Sequence, residues 1–181
     1  LFLWDVDPDT KEPTGTIREF AMAALEQVLD PAPPERIAPH LQETLEMFSQ
    51  AGFTSLKLAE GEISWVQSAN LLDQKGKLNV RLFPSWFHKA HSGAMTEEES
   101  RDVAKRWKEF ESPMVYPRYV KMYYDGSPDS FTSLLLEDYE GRPGFKGSTH
   151  FPTEEYIKDF KYFNSLGLGL IVHVFGDGTS V

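Results

Sequence analysis

Between Pro34 and Val174 a helix-length pattern followed by a short β-rich run occurs four times. The alternation restricts the chain to βα units around a parallel sheet. The patterns predict helices over Pro34–Ala51, Ser64–Lys75, Thr96–Phe110 and Thr153–Leu166, with strands at Thr54–Ala59, Asn79–Phe87, Tyr119–Tyr124 and Gly169–Val174. Gly52, Gly76 and Gly167 stand where three of the helices must stop. Thr96 followed by Glu99 spells a capping box, and Thr153 is read as the cap of the last helix. Right-handed crossovers then lay successive strands side by side.

Two architectures satisfy this pattern, an open doubly wound sheet and part of a (β/α)8 barrel. No G-x-G-x-x-G or Walker sequence follows any strand, which disfavours the nucleotide-binding open sheet. A complete barrel takes about 250 residues, and 181 residues with four readable strands amount to part of one. The expected fold is therefore α/β, a partial (β/α)8 TIM barrel of about four parallel strands with flanking helices. The whole chain, 1–181, is read as a single partial barrel domain. Residues 1–33 form its opening, with a polar loop over Asp5–Pro13 and a helix over Ile17–Leu29, and 34–181 form the βα units. Such a piece is expected to expose two sheet edges and an apolar inner face.

The net charge is −10, from 28 acidic against 18 basic residues, which argues against a nucleic-acid surface or an anionic membrane as partner. No run is long enough to span a membrane. There is no cysteine, so any metal must bind through nitrogen and oxygen. The missing cysteines leave the compartment open, and a cytoplasmic location is the default expectation. A chain that opens on Leu1-Phe2-Leu3 without Met is read as a processed product or an interior piece.

Chemistry concentrates in two stretches, Tyr119–Ser127 and Leu170–Gly178, each an apolar run holding one basic or imidazole side chain and followed by an Asp-Gly turn. Alternation places Tyr119, Lys121 and Tyr123 on one strand face and Val120, Met122 and Tyr124 on the other. A buried lysine is costly unless its charge is paired or removed. Carbamylation by CO2 removes it and creates an anionic oxygen ligand; a snorkelling or salt-bridged lysine is the plainer reading. His173 shares its face with Ile171 and Phe175 and lies near the carboxyl end of its strand, where parallel α/β folds carry their sites. Asp125 and Asp177 occupy turn positions and serve equally as turn formers or site groups. His88 and His91 form a His-x-x-His spacing in a polar loop, a weak metal signal. His40 is read as a surface residue and His150 as exposed or at a pocket mouth. Trp65, Trp86, Phe87, Tyr116 and Tyr119 are read as core.

Five stretches in order resemble amidohydrolase family 3 of the metal-dependent amidohydrolase superfamily. They are Glu12-Pro13-Thr14-Gly15-Thr16-Ile17-Arg18-Glu19, Gly52-Phe53-Thr54-Ser55, Val120-Lys121-Met122-Tyr123-Tyr124-Asp125-Gly126, Thr132 through Leu136-Glu137-Asp138-Tyr139, and His173-Val174-Phe175-Gly176-Asp177. The resemblance implies that Lys121 is the carbamylated bridging metal ligand on the fourth barrel strand and His173 the ligand on the fifth. It implies a divalent metal, zinc by preference, and a small amide-like substrate whose C–N bond is cleaved by metal-activated water. It also implies a His-x-His pair, a further His and an Asp that this chain does not contain in matching positions. The chain is therefore expected to be inactive alone, and to self-associate or to be completed by the remaining barrel segments. Two alternatives belong to other classes: a non-catalytic α/β binding or scaffold module that has lost the metal site, and an open doubly wound domain binding a small ligand near Asp125 and Asp177.

Overall fold

The computed structural model describes residues 4–17, 32–88 and 95–180. The chain opens on a β-hairpin, with β1 (Trp4–Val6) antiparallel to β2 (Pro13–Ile17). The main body is a four-stranded parallel sheet of β3 (Ser55–Gly61), β4 (Arg81–Phe87), β5 (Tyr119–Tyr123) and β6 (Gly169–His173), side by side in that order. Helices α1 (Pro34–Gln50), α2 (Ile63–Gln74), α3 (Glu97–Lys105) and α4 (Thr153–Ser165) precede or connect these strands. Each expected strand and helix of the βα region is present, with ends moved by one or two residues. The exception is the third helix, which ends at Lys105 and continues as a 3-10 turn over Trp107–Phe110.

The glycine stops work as their chemistry requires. After α1, Gly52 takes a φ of +90°, a left-handed conformation open to residues without Cβ. Its N–H donates to Ser49 O at 2.9 Å and the Phe53 N–H to Phe48 O at 3.0 Å, which satisfies two orphan carbonyls. Gly76 and Gly167 repeat the paired bonds after α2 and α4. Thr96 caps α3 as expected: its Oγ1 accepts from the Glu99 N–H at 3.2 Å, while the Glu99 carboxylate accepts from the Thr96 N–H at 2.8 Å. These bonds hold the Glu99 carboxyl below its ordinary pKa. Thr96→Ala is expected to cost about 1 kcal/mol, read as a lower urea midpoint with unchanged slope.

All four helices lie on one face of the sheet. Leu82 and Trp86 of β4 pack with Leu41, Leu45, Val66 and Leu72 of α1 and α2, and Val120 and Met122 of β5 pack with Ala104 of α3 and Phe163 of α4. Register pairs Trp86 with Val120, so these residues share a face. A doubly wound sheet carries helices on both faces, and among the described residues the second face has none. The architecture matches part of a barrel, and the open doubly wound alternative is set aside.

Several expectations are corrected. Most of the expected opening loop is present at 7–12, but it joins two strands of a hairpin that take Asp5, Val6 and Pro13. Strand β2 is almost wholly exposed and shows no apolar alternation, so its residues carry the pattern of a loop. Ile17 belongs to β2, and the rest of the helix expected to Leu29 falls on 18–31, outside the described residues. Thr153 does not cap α4. The cap position is Pro152, and the Thr153 hydroxyl instead meets the Tyr124 hydroxyl at 2.5 Å. Trp65 is 42% exposed, whereas Trp86 is fully buried with its Nε1–H on Pro117 O. The inner face is mixed rather than apolar: Lys57 Nζ lies 3.6 Å from the Tyr119 ring centre, beside Ser85, Lys121 and Tyr123. One exposed apolar cluster, Ile157, Phe160 and Val172, lies instead on α4 and the outer side of β6. No helix among the described residues is long and apolar enough to cross a membrane.

Candidate functional site

Both singled-out strands end at the same edge of the sheet. The β5–β6 register sets Lys121 opposite Ile171 and Tyr123 opposite His173. Lys121 and His173 therefore share the inner face on neighbouring strands, offset by two residues or about 7 Å along the strand. Tyr123 stands between them. The Lys121 Nζ lies 4.5 Å from the Tyr123 ring centre, and the Tyr123 and His173 rings are 5.1 Å apart.

Lys121 is buried, at 7% exposure. Desolvation pulls its pKa below the ordinary lysine range, and the Glu60 carboxylate acts in the opposite direction. Glu60 lies where the β3–β4 register becomes irregular between Leu58 and Gly61, at the carboxyl end of β3. A register break of this kind re-aims side chains, and it left no mark in the residue pattern.

His173 is half-buried, and its Nε2 lies 2.9 Å from the carbonyl of Gly126. A carbonyl can only accept, so Nε2 carries the proton. In the neutral ring the lone pair is then at Nδ1.

The two aspartates tie this rim together. Asp125 is fully buried; its Oδ1 accepts from the Phe175 N–H at 2.9 Å, and its Oδ2 from the N–H groups of Gly176 at 2.8 Å and Leu134 at 3.2 Å. Asp177 Oδ1 accepts from the Leu136 N–H at 2.9 Å. Both carboxylates thus fix the loop of 125–152 to the turn after β6, a role beyond an Asp-Gly turn. Gly176 is required here by close approach: a Cβ would fall 1.9 Å from Leu134 O.

The remaining histidines sit elsewhere. His40 is exposed on α1, and His150 is half-buried with its backbone N–H on Tyr124 O. His91 lies outside the described residues, so the His-x-x-His pairing is not tested. His88 is not in a polar loop. It is 1% exposed, immediately after β4, and its side chain lies among α3 and α4: Nδ1 is 2.6 Å from Ser100 Oγ and Nε2 is 3.1 Å from Asp159 Oδ2. Arg101 pairs with Asp159 on the other side. Burial is the main cause that pulls the His88 pKa below its ordinary value, with Asp159 acting against it.

Among the described residues no three His, Asp or Glu side chains converge as a metal site. The chemistry of Lys121 and His173 still suits one. An imidazole with a free Nδ1 and an amine open to carbamylation are nitrogen and oxygen donors, the types a cysteine-free chain must use. Two donors fall short of the three or four protein ligands such ions take.

Lys121, midway along β5, and His173, at the carboxyl end of β6, lie on the face of the parallel sheet that carries no helix among the described residues, the layout of part of a barrel. The chain belongs to the amidohydrolase family, whose model matches residues 4–180. Two solved structures, described as uncharacterized metal-dependent hydrolases, are similar to it. The one from Pyrococcus horikoshii OT3 superposes with a TM-score of 0.71 at 21% identity, over 98% of this chain and 35% of that one. The one from Pyrococcus furiosus gives 0.68 at 20% identity, over 96% and 36%. The chain thus spans about a third of the length of these two structures. No curated protein matches it.

Proposed function

We propose that the complete protein is a (β/α)8 barrel hydrolase that cleaves the C–N bond of a small amide-like substrate, and that these strands supply two of its metal ligands. Strands β3 to β6 would be the second to fifth of the barrel. The observation that carries the reading is the His173 Nε2–H on the Gly126 carbonyl. Metal-binding imidazoles characteristically donate their other ring N–H to a backbone carbonyl or carboxylate, and this bond orients the ring with Nδ1 free. Lys121 would contribute as the carbamate: its neutral amine adds to CO2 and releases one proton, leaving an anionic oxygen pair. Burial, which lowers the lysine pKa, favours the amine that this step needs. A divalent ion, zinc by preference, would lower the pKa of a bound water toward neutrality. Asp125 and the loop it anchors would wall the site and exclude water from the reacting face.

The 181-residue chain by itself is proposed to be inactive, since two donors do not hold a catalytic ion firmly. Elemental analysis of the full-length protein is expected to find about one or two divalent ions per chain, with a carbamate carbon at Lys121 visible by NMR after labelled bicarbonate. The shorter chain is expected to retain neither. A full-length protein without metal and with an unmodified Lys121 would instead favour the scaffold alternative. Its small-molecule partner would then bind without chemistry.

A further inference from the structure

We propose that the buried His88–Asp159–Arg101 network is a positioning device for Lys121, holding the two ligand-bearing strands in register from behind the sheet. It rests on the reading of Lys121 as a metal ligand. The connectivity makes the case. The His88 N–H donates to the Lys121 carbonyl at 2.9 Å, just beyond the Phe87–Lys121 pairing that ends the β4–β5 ladder. The side chain of the same residue reaches Ser100 of α3 at 2.6 Å and Asp159 of α4 at 3.1 Å, and Arg101 of α3 closes the circuit onto Asp159. Helix α3 leads into β5, which bears Lys121, and α4 leads into β6, which bears His173. One network therefore spans three elements that set where both ligands stand.

Stability alone does not account for it. His88 and Asp159 are each 1% exposed, and buried ionic networks of this kind contribute little net stability compared with apolar residues of the same volume. What they add over leucine is direction: the imidazole is bonded at Nδ1 to Ser100 with its Nε2 3.1 Å from the Asp159 carboxylate, and the Arg101 guanidinium is further held 4.6 Å over the Tyr162 ring. The edge of the His88 ring against Phe163, centroids 4.8 Å apart, limits its rotation.

The test uses the full-length protein with cobalt as the probe ion. The variant is the apolar replacement of the whole network, His88→Leu with Asp159→Leu and Arg101→Met. It is expected to unfold at the wild-type urea concentration or above, yet to bind cobalt at least about 10-fold more weakly and to exchange the amides of 119–123 faster than those of 55–61. Ser100→Ala, which removes the 2.6 Å contact together with the hydroxyl's 2.9 Å bond to Glu97 O within α3, is expected to move both readouts less and in the same direction, and His88→Gln to recover part of the affinity. Unchanged cobalt affinity and unchanged exchange in β5 would overturn the proposal, as would uniform loosening of the sheet, the mark of a merely structural role. Wild-type protein that binds no cobalt would sink the metal reading instead. The selective exchange of 119–123 would then still decide whether the network positions β5.

Discussion

Asp125→Ala is expected to destabilise the protein by about 3–5 kcal/mol. The carboxylate is fully buried and accepts three backbone N–H groups, those of Phe175, Gly176 and Leu134. Hydrogen bonds to a charged acceptor contribute about 1.5–3 kcal/mol each, and donors left unsatisfied in the interior add their desolvation cost. Relaxation of the loop recovers part of the sum, which is why the expected loss is below three full bonds. Asp125→Asn is expected to recover little of it, because the amide NH2 would face N–H donors on one side. The measurement is a urea titration of wild type and Asp125→Ala: the midpoint should fall with little change in slope. A loss below about 1 kcal/mol would show that the loop is held by something other than this carboxylate. Because Gly176 is packed against Leu134 O, a collapsed loop would also withdraw the peptide that shapes the rim beside His173.

Lys121→Ala should have the largest effect on metal content. Removal of the proposed carbamate ligand from the full-length protein is expected to weaken metal binding at least about 100-fold, roughly 2.8 kcal/mol, while the fold survives. The side chain lies on the inner face beside the Tyr123 ring and outside the clusters that hold the helices to the sheet. Lys121→Arg is the sharper control. It keeps the positive charge and the length but cannot form a carbamate, so it should lose metal as Lys121→Ala does. Metal at wild-type stoichiometry and affinity in Lys121→Arg would remove Lys121 from the ligand set and leave it as a buried cation facing Glu60.

The parts of this molecule that were legible in advance are those governed by local rules. Gly52, Gly76 and Gly167 end helices because a left-handed residue turns the chain out of the last helical turn and satisfies its carbonyls locally, whatever surrounds it. Thr96 and Glu99 are close enough in sequence to find one another within the first turn of α3. Period-two alternation correctly separated Lys121 from Val120 and Met122. Local rules misled where a residue had two uses. Thr153 has the chemistry of a cap but gives its hydroxyl to Tyr124, and Pro13 to Ile17 has the polarity of a loop but pairs with β1.

The sequence by itself determined the element types and order of the βα region, the parallel sheet and the strand face that carries Lys121 and His173, because each depends on contacts within a few residues or on a periodicity. Only the tertiary structure decided which polar groups meet. His88, at the end of β4, finds Asp159 on the last helix, and Asp125 finds Gly176 51 residues further on. Such pairings depend on how helices and loops pack over the sheet, and no short-range pattern records them. Burial then sets their importance, since a carboxylate removed from water must be met by donors wherever in the chain they arise.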